Sequence, residues 1–193
     1  EGTTSIFGYG SLIFKPPPFD LESTPGYIKG FVRRFAQESH DHRGTDEYPG
    51  RASLGLSHPA AGTAHLAFPR STHLPRFTGK IYHIPPENST EIWAYLDHRE
   101  KDGYTLRTVD VYGQTASGEE YIVEKDVRVY VGETNNPSFA GGEEMETLAS
   151  RIAQSVGPSG PNKEYLFEVC NSIRQLCPQS EDQYLARLEK LVR

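Results

Sequence analysis

A β-prone run broken at its centre by closely spaced glycines sets the first constraint on this chain. Residues 3–15 read TTSIFGYGSLIFK: Thr3, Thr4, Ile6 and Phe7 favour a strand, and Gly8 and Gly10 bracket Tyr9 ahead of Ser11 and Leu12. Glycines at alternate positions let the backbone turn sharply and present N–H groups with no Cβ in the way, so a strand ending here offers bare amides to an anion. Two phosphate-binding readings fail on spacing. Position 13, where a dinucleotide fingerprint needs its third glycine, is Ile13, and no Gly-Lys-Ser/Thr follows. A nucleophile elbow on Ser11 fails too, because it needs glycines where Tyr9 and Ile13 stand. A tight turn closing a buried strand and an anion-holding loop both fit these residues.

With 193 residues the chain can bury one sizeable core, and a single domain over residues 1–193 is expected. No apolar run approaches the ~18 residues of a membrane span. The formal net charge of −6 lacks the positive field that nucleic acid or anionic lipid binding needs, so the expected partner is a small molecule, with no nucleic acid and no membrane. Cys170 and Cys177 lie seven apart in a helical stretch, a rise of about 10 Å that is too long for a disulfide. Two buried thiols in a reducing compartment are expected, and with no secretory or transit peptide ahead of the first strand, a cytoplasmic location. No heptad or apolar repeat stands out, and a monomer is expected.

Along the chain, Pro16-Pro17-Pro18 forces an extended loop. Residues 27–35, YIKGFVRRF, predict a strand bent at Gly30. A polar loop follows through Pro49-Gly50, and a short strand resumes over residues 52–56. His40 and His42 flanking Asp41 invite a metal, yet neither a helix-spaced pair nor a Cys/His set accompanies them, and no metal is expected. Either this loop is simply solvated and hydrogen-bonded, or Arg43 or Arg51 offers a bidentate donor to a carboxylate. Residues 57–76 read as a connecting loop around a short strand near residues 64–68, and residues 77–84 as a further strand.

Residues 87–100 predict a helix with Ile92, Trp93 and Leu96 on its apolar face and a stop at Asp102-Gly103. Glu100, four residues beyond Leu96, falls within about 40° of that leucine on the helical wheel and so points to the buried side. Partial burial and the negative end of the helix dipole both disfavour its charged form, the condition for a general base with a raised pKa. The competing reading is a Glu paired with Arg99 or another cation at the helix end. Residues 104–115 and 121–132 alternate across a turn at 116–120, the pattern of a β-hairpin. Helices are expected over 143–156, 162–176 and 181–192, with a turn at 157–161 and Asn162 as an N-cap.

Taken together, GYGSLIFKPP (8–17), GFVRRF (30–35), DHRGT (41–45), PGR (49–51), YLDHRE (95–100), GYTL (103–106) and GPSGPNKEYL (157–166) make the chain resemble the ChaC family of γ-glutamylcyclotransferases, in its glutathione-specific, fungal branch. The chain departs from the pattern at Phe14, where an indole or phenol ring is common, at Asp46 and at Pro161. The resemblance implies an α+β fold, a mixed β-barrel with surrounding helices, and a pocket where the 8–12 loop meets the end of the 87–100 helix. It implies Glu100 as catalytic acid/base. Tyr9, Gly10, Ser11 and Leu12 would form the binding loop for the γ-glutamyl group, with Ile6, Phe7 and Gly8 leading into it and Arg51, Tyr104 and Tyr165 around the pocket. No cofactor is implied.

The implied reaction is chemically undemanding of the protein, because the glutamyl α-amine of glutathione attacks its own γ-carbonyl and releases 5-oxoproline and cysteinylglycine. The protein must fold the substrate and move protons. Three rivals remain: a cyclotransferase for other γ-glutamyl amides, a non-catalytic binder of a γ-glutamyl ligand or a protein, and a serine amidohydrolase using Ser11 with His42 and Asp41.

Overall fold

The opening strand ends as a seam: in the computed structural model, which describes residues 4–57, 76–100, 103–179 and 181–193, it closes a barrel. The chain runs β1 (Thr4–Gly8), β2 (Ser23–Lys29), β3 (Phe31–Ser39), β4 (Gly50–Ser57), β5 (Arg76–Ile84), α1 (Ser89–Arg99), β6 (Tyr104–Gln114) and β7 (Glu120–Gly132). It finishes with α2 (Met145–Gln154), β8 (Val156–Gly157), β9 (Gly160–Pro161), α3 (Asn162–Leu176) and α4 (Gln183–Val192). Strands pair in the order β1-β5-β2-β6-β7, antiparallel throughout except where β1 meets β7 in parallel at Ile6 and Arg128. The fold is therefore the expected mixed barrel with helices outside it.

Period two decides what each strand buries. Phe7 and Tyr9 turn into the barrel against Ile28, Phe77, Ile81, Val111, Val127, Val129 and Val131. Ile6 turns the other way, to Leu12, Tyr82, Ile84 and Tyr130 and to Ile92 and Leu96 of α1. A third core lies where α2, α3 and α4 pack on Phe35 and Ile13.

The strand expected over residues 27–35 is in fact two strands in two sheets. Gly30 adopts φ +79°, a left-handed turn that suits glycine, and there the chain leaves the barrel and starts the separate β3–β4 pair. Asn162 is not an N-cap either. It is the first residue of α3, fully buried, and its side-chain amide clips the Arg51 backbone, accepting from Arg51 N at 2.7 Å and donating to Arg51 O at 2.8 Å. The turn at 157–161 is a two-residue hairpin of β8 and β9. Both cysteines are free, Cys170 buried and Cys177 half-buried. The strand expected near residues 64–68, and Asp102 of the expected helix stop, lie outside the described residues. Among the described residues no helix is long and apolar enough to cross a membrane.

Candidate active site

Two chain turns meet at the mouth of the barrel. At the end of β1, Gly8 must lack a side chain, since a Cβ there would lie 2.7 Å from Leu12 Cβ and 3.2 Å from the Tyr82 ring. The chain then winds into one 3-10 turn, Ser11–Ile13, closed by Ile13 N donating to Gly10 O at 3.1 Å. The leading amides of such a turn have no partner inside it, as at any helix start. Arg33, buried in β3, holds this turn from below: it donates to Tyr9 O, to Ser53 Oγ at 3.2 Å and to Thr78 O at 2.7 Å. Burial pulls the Arg33 pKa down, and the Asp182 carboxylate opposes that fall.

The second turn is the end of α1. Apolar burial of Ile92 and Leu96 fixes how the helix lies, and Glu100 is the residue just past its last turn, its amide donating to Leu96 O at 2.9 Å. Its side chain is 16% exposed, turned in from bulk solvent. Arg99 alongside it donates to Ser11 Oγ at 2.8 Å and to Lys15 O at 3.0 Å, and its Nε stands 3.6 Å from Glu100 Oε1. The Arg99 pairing named as the alternative for Glu100 is thus present, and the same arginine ties α1 to the glycine turn.

Between these turns lies a cavity of about 380 Å³, within the ~300–1,000 Å³ range of small-molecule sites. Phe7, Tyr9, Gly10, Ser11, Leu12, Glu100, Tyr104 and Tyr165 all line it, as expected from the sequence. Three expected residues do not. Ile6 faces the α1 core because it is one residue out of phase with Phe7, and Gly8 is covered by Leu12 and Tyr82. Arg51 is turned away, its Nε donating to Glu143 Oε2 at 2.6 Å and its Nη1 to Gly50 O at 3.0 Å, with Glu38 3.7 Å from Nη1. Of the two arginines weighed in the polar loop, Arg43 is the one that reaches the cavity.

Tyr130, Tyr95, Ser53, Gln37 and Ser159 also line the cavity and were not anticipated. Only Tyr130 left a trace in the sequence: it alternates with Val129 and Val131, so it sits on the barrel face that a helix must cover. Its hydroxyl donates to Asp97 Oδ1 at 2.5 Å. Tyr165 Oη accepts from Ser53 N at 3.2 Å.

Burial pushes the pKa of Tyr9, Tyr130 and Tyr165 upward, and the negative charge of Glu100 pushes all three further the same way. At neutral pH the phenols are therefore un-ionised, and they serve as hydrogen-bonding walls rather than as bases. Glu100 lines the same cavity as all three rings.

Ser11, Asp41 and His42 share the cavity, with His42 Nε2 3.7 Å from Asp41 Oδ1. The partner of Ser11 Oγ is nevertheless Arg99, a donor that cannot take its proton, while His42 Nδ1 is shared with Ser159 Oγ at 3.3 Å. His40 turns to Glu38 and Asp46, at 3.3 and 3.7 Å. Among the described residues no group of three or more His, Cys, Asp or Glu could hold a metal ion.

A family model described as ChaC-like protein matches residues 4–193. The chain is 38% identical to the glutathione-specific gamma-glutamylcyclotransferase of Schizosaccharomyces pombe, over 100% of this chain and 94% of that protein. It is 34% identical to the protein of the same description from Saccharomyces cerevisiae, over 97% and 94%. It superposes with TM-score 0.81 and 32% identity on the crystal structure of the selenomethionine-labelled gamma-glutamylcyclotransferase specific to glutathione from yeast, covering 100% of this chain and 96% of that one.

Proposed function

Because the chain belongs to the ChaC-like family, we propose that it is a glutathione-specific γ-glutamylcyclotransferase, a lyase that converts glutathione to 5-oxo-L-proline and L-cysteinylglycine with Glu100 as general acid/base. The observation that carries the reading is the position of Glu100. It closes α1 and shares one cavity with the Gly10-Ser11-Leu12 turn and the un-ionised phenols of Tyr9, Tyr130 and Tyr165.

Ring closure needs a neutral amine. The glutamyl ammonium gives up one proton to become the nucleophile, and its nitrogen forms a bond to the γ-carbonyl carbon and loses a second proton. The bond from that carbon to the cysteinyl nitrogen then breaks, and the departing nitrogen takes up two protons to leave as an ammonium, so the reaction is proton-neutral overall. Glu100 accepts at the attacking nitrogen and returns a proton at the leaving one, a role worth about a hundredfold to ten-thousandfold in rate. Holding the glutamyl chain folded so that amine and carbonyl meet adds to this by freezing the substrate's own rotors; because the two groups already belong to one molecule, it is only a part of the roughly 7–11 kcal/mol that proximity supplies between separate reactants. The amides of Gly10, Ser11 and Leu12 serve the glutamyl carboxylate or the developing oxyanion.

Steady-state release of 5-oxoproline tests this. Glu100→Gln should keep the wild-type circular dichroism and melting temperature and lose at least a hundredfold in kcat; a folded variant with most of its turnover sinks the role. Comparing glutathione with γ-glutamyl-alanine decides substrate scope, and faster release from the latter makes the chain a broader γ-glutamyl cyclotransferase.

A further inference from the structure

We infer that Arg43 is the specificity residue for the far end of the substrate, binding the terminal glycine carboxylate of a γ-glutamyl tripeptide; this rests on the cyclotransferase reading and adds to it what separates glutathione from shorter γ-glutamyl compounds. A substrate of that kind carries two carboxylates, one on the glutamyl unit and one at the peptide end. The glutamyl end has its partners in the amides of the glycine turn. The peptide end needs a cation on the cavity wall.

Arg43 lines the cavity, half-buried, and among the described residues no carboxylate stands within ion-pair distance of it. Its guanidinium is held on two sides, with Nη1 donating to Pro161 O at 3.1 Å and its carbon 5.8 Å from the centre of the Tyr165 ring. One donor is anchored, and the rest of the fork remains for a carboxylate.

The backbone that carries Arg43 is clamped. Arg43 N donates to Ser39 Oγ at 3.0 Å, and Ser159 N donates to His42 O at 2.9 Å. Gly50 and Gly157 press against Arg43 and His42 so closely that a Cβ on either would collide with a backbone carbonyl. Three stretches far apart in sequence, around residues 43, 50 and 157, thus converge on fixing this one side chain, and Glu100 catalysis has no use for that convergence.

The other cations of the cavity fit the task poorly. Arg99 is committed to Ser11, Lys15 O and Glu100, and the Lys15 ammonium rides on an exposed, flexible stem. Of the acidic side chains on the Arg43 side, Glu38 stands 3.7 Å from Arg51 Nη1 and Asp41 3.7 Å from the His42 ring, while Glu164 shares the surroundings of Gly160 with Arg43 Nη1 without an ion pair between them.

The test is a substrate-by-variant square: wild type, Arg43→Met and Arg43→Lys, each with glutathione and with its glycyl ethyl ester, read as 5-oxoproline release. Wild type should show a KM for the ester about tenfold to a hundredfold above that for the acid, the range expected for losing a charge-assisted pair. Arg43→Met should raise the KM for glutathione by a similar factor, with a smaller change in kcat and less than about a threefold change with the ester, and Arg43→Lys should restore part of the gap. Equal KM values for acid and ester in wild type overturn the assignment while leaving the cyclotransferase reading intact, as does a variant that damages both substrates equally. If wild type releases no 5-oxoproline from either compound, the cyclotransferase reading itself fails.

Discussion

Arg99 Nη2 donates to Ser11 Oγ at 2.8 Å, so the residue next to Glu100 binds the end of α1 to the turn that follows β1. The two halves of the site are joined before any ligand arrives. The same contact decides between two chemistries for Ser11. With its oxygen held by a cation that takes no proton, the hydroxyl orients the turn, and Ser11→Ala should keep turnover while raising KM about twofold to tenfold, the worth of one hydrogen bond. Steady-state kinetics on glutathione check this, and abolished turnover would restore the serine nucleophile.

Tyr165 caps the Ser53 amide inside the protein. Tyr165→Phe keeps the ring but leaves a buried N–H with no acceptor, at a cost of about 1–3 kcal/mol. Urea unfolding should show a lower midpoint with an unchanged m-value. Wild-type stability in this variant would mean that the amide finds water or another acceptor.

Acid stability should depend on Glu189, which joins α3 to the C-terminal turn of α4. It accepts from Arg174 at 2.7 and 3.0 Å and from Arg193 at 2.7 Å, and these contacts, Arg174 first, hold its carboxyl below the ordinary carboxylate range. A depressed folded pKa means that the stabilisation is complete above the unfolded value, ~4.3, and is lost as pH falls through the folded one. Glu189→Gln should lower the melting temperature at pH 7, and the gap to wild type should close on acidification below about pH 4. Because Arg174 and Arg193 are 52% and 60% exposed, salt should narrow the gap as well. A pH-independent gap would assign the effect to packing.

What the chain order disclosed was whatever local periodicity controls. The β1 strand with its turn, the apolar face of α1 ending at Glu100 and the β6–β7 hairpin all follow from spacing within about a dozen residues. Placing Ile6 at the site runs against the strand's own alternation with Phe7, and the other misses turn mostly on partners far away. Arg51 looks as suited to a carboxylate ligand as Arg43 does; only the fold brings Glu143 against one and leaves the other at the cavity. Asn162 has the chemistry of a cap, but Pro161 holds that position and the amide finds the β4 backbone instead. Gly30 reads as a bend within a strand, and whether the next residues rejoin the same sheet depends on β4, which lies beyond the loop. Tyr130 depended on knowing which barrel face α1 covers.

The parallel contact between Ile6 and Arg128 also sets an order of events during synthesis. The glycine turn leaves the ribosome well ahead of β7, the strand that brackets β1 on its second edge. Until then the nascent β1 keeps an open edge, the kind that invites pairing with another chain. A translation product halted before position 128 therefore presents a sticky strand in place of half a binding pocket, and the cavity wall is complete only once Ser159 and Tyr165 have followed.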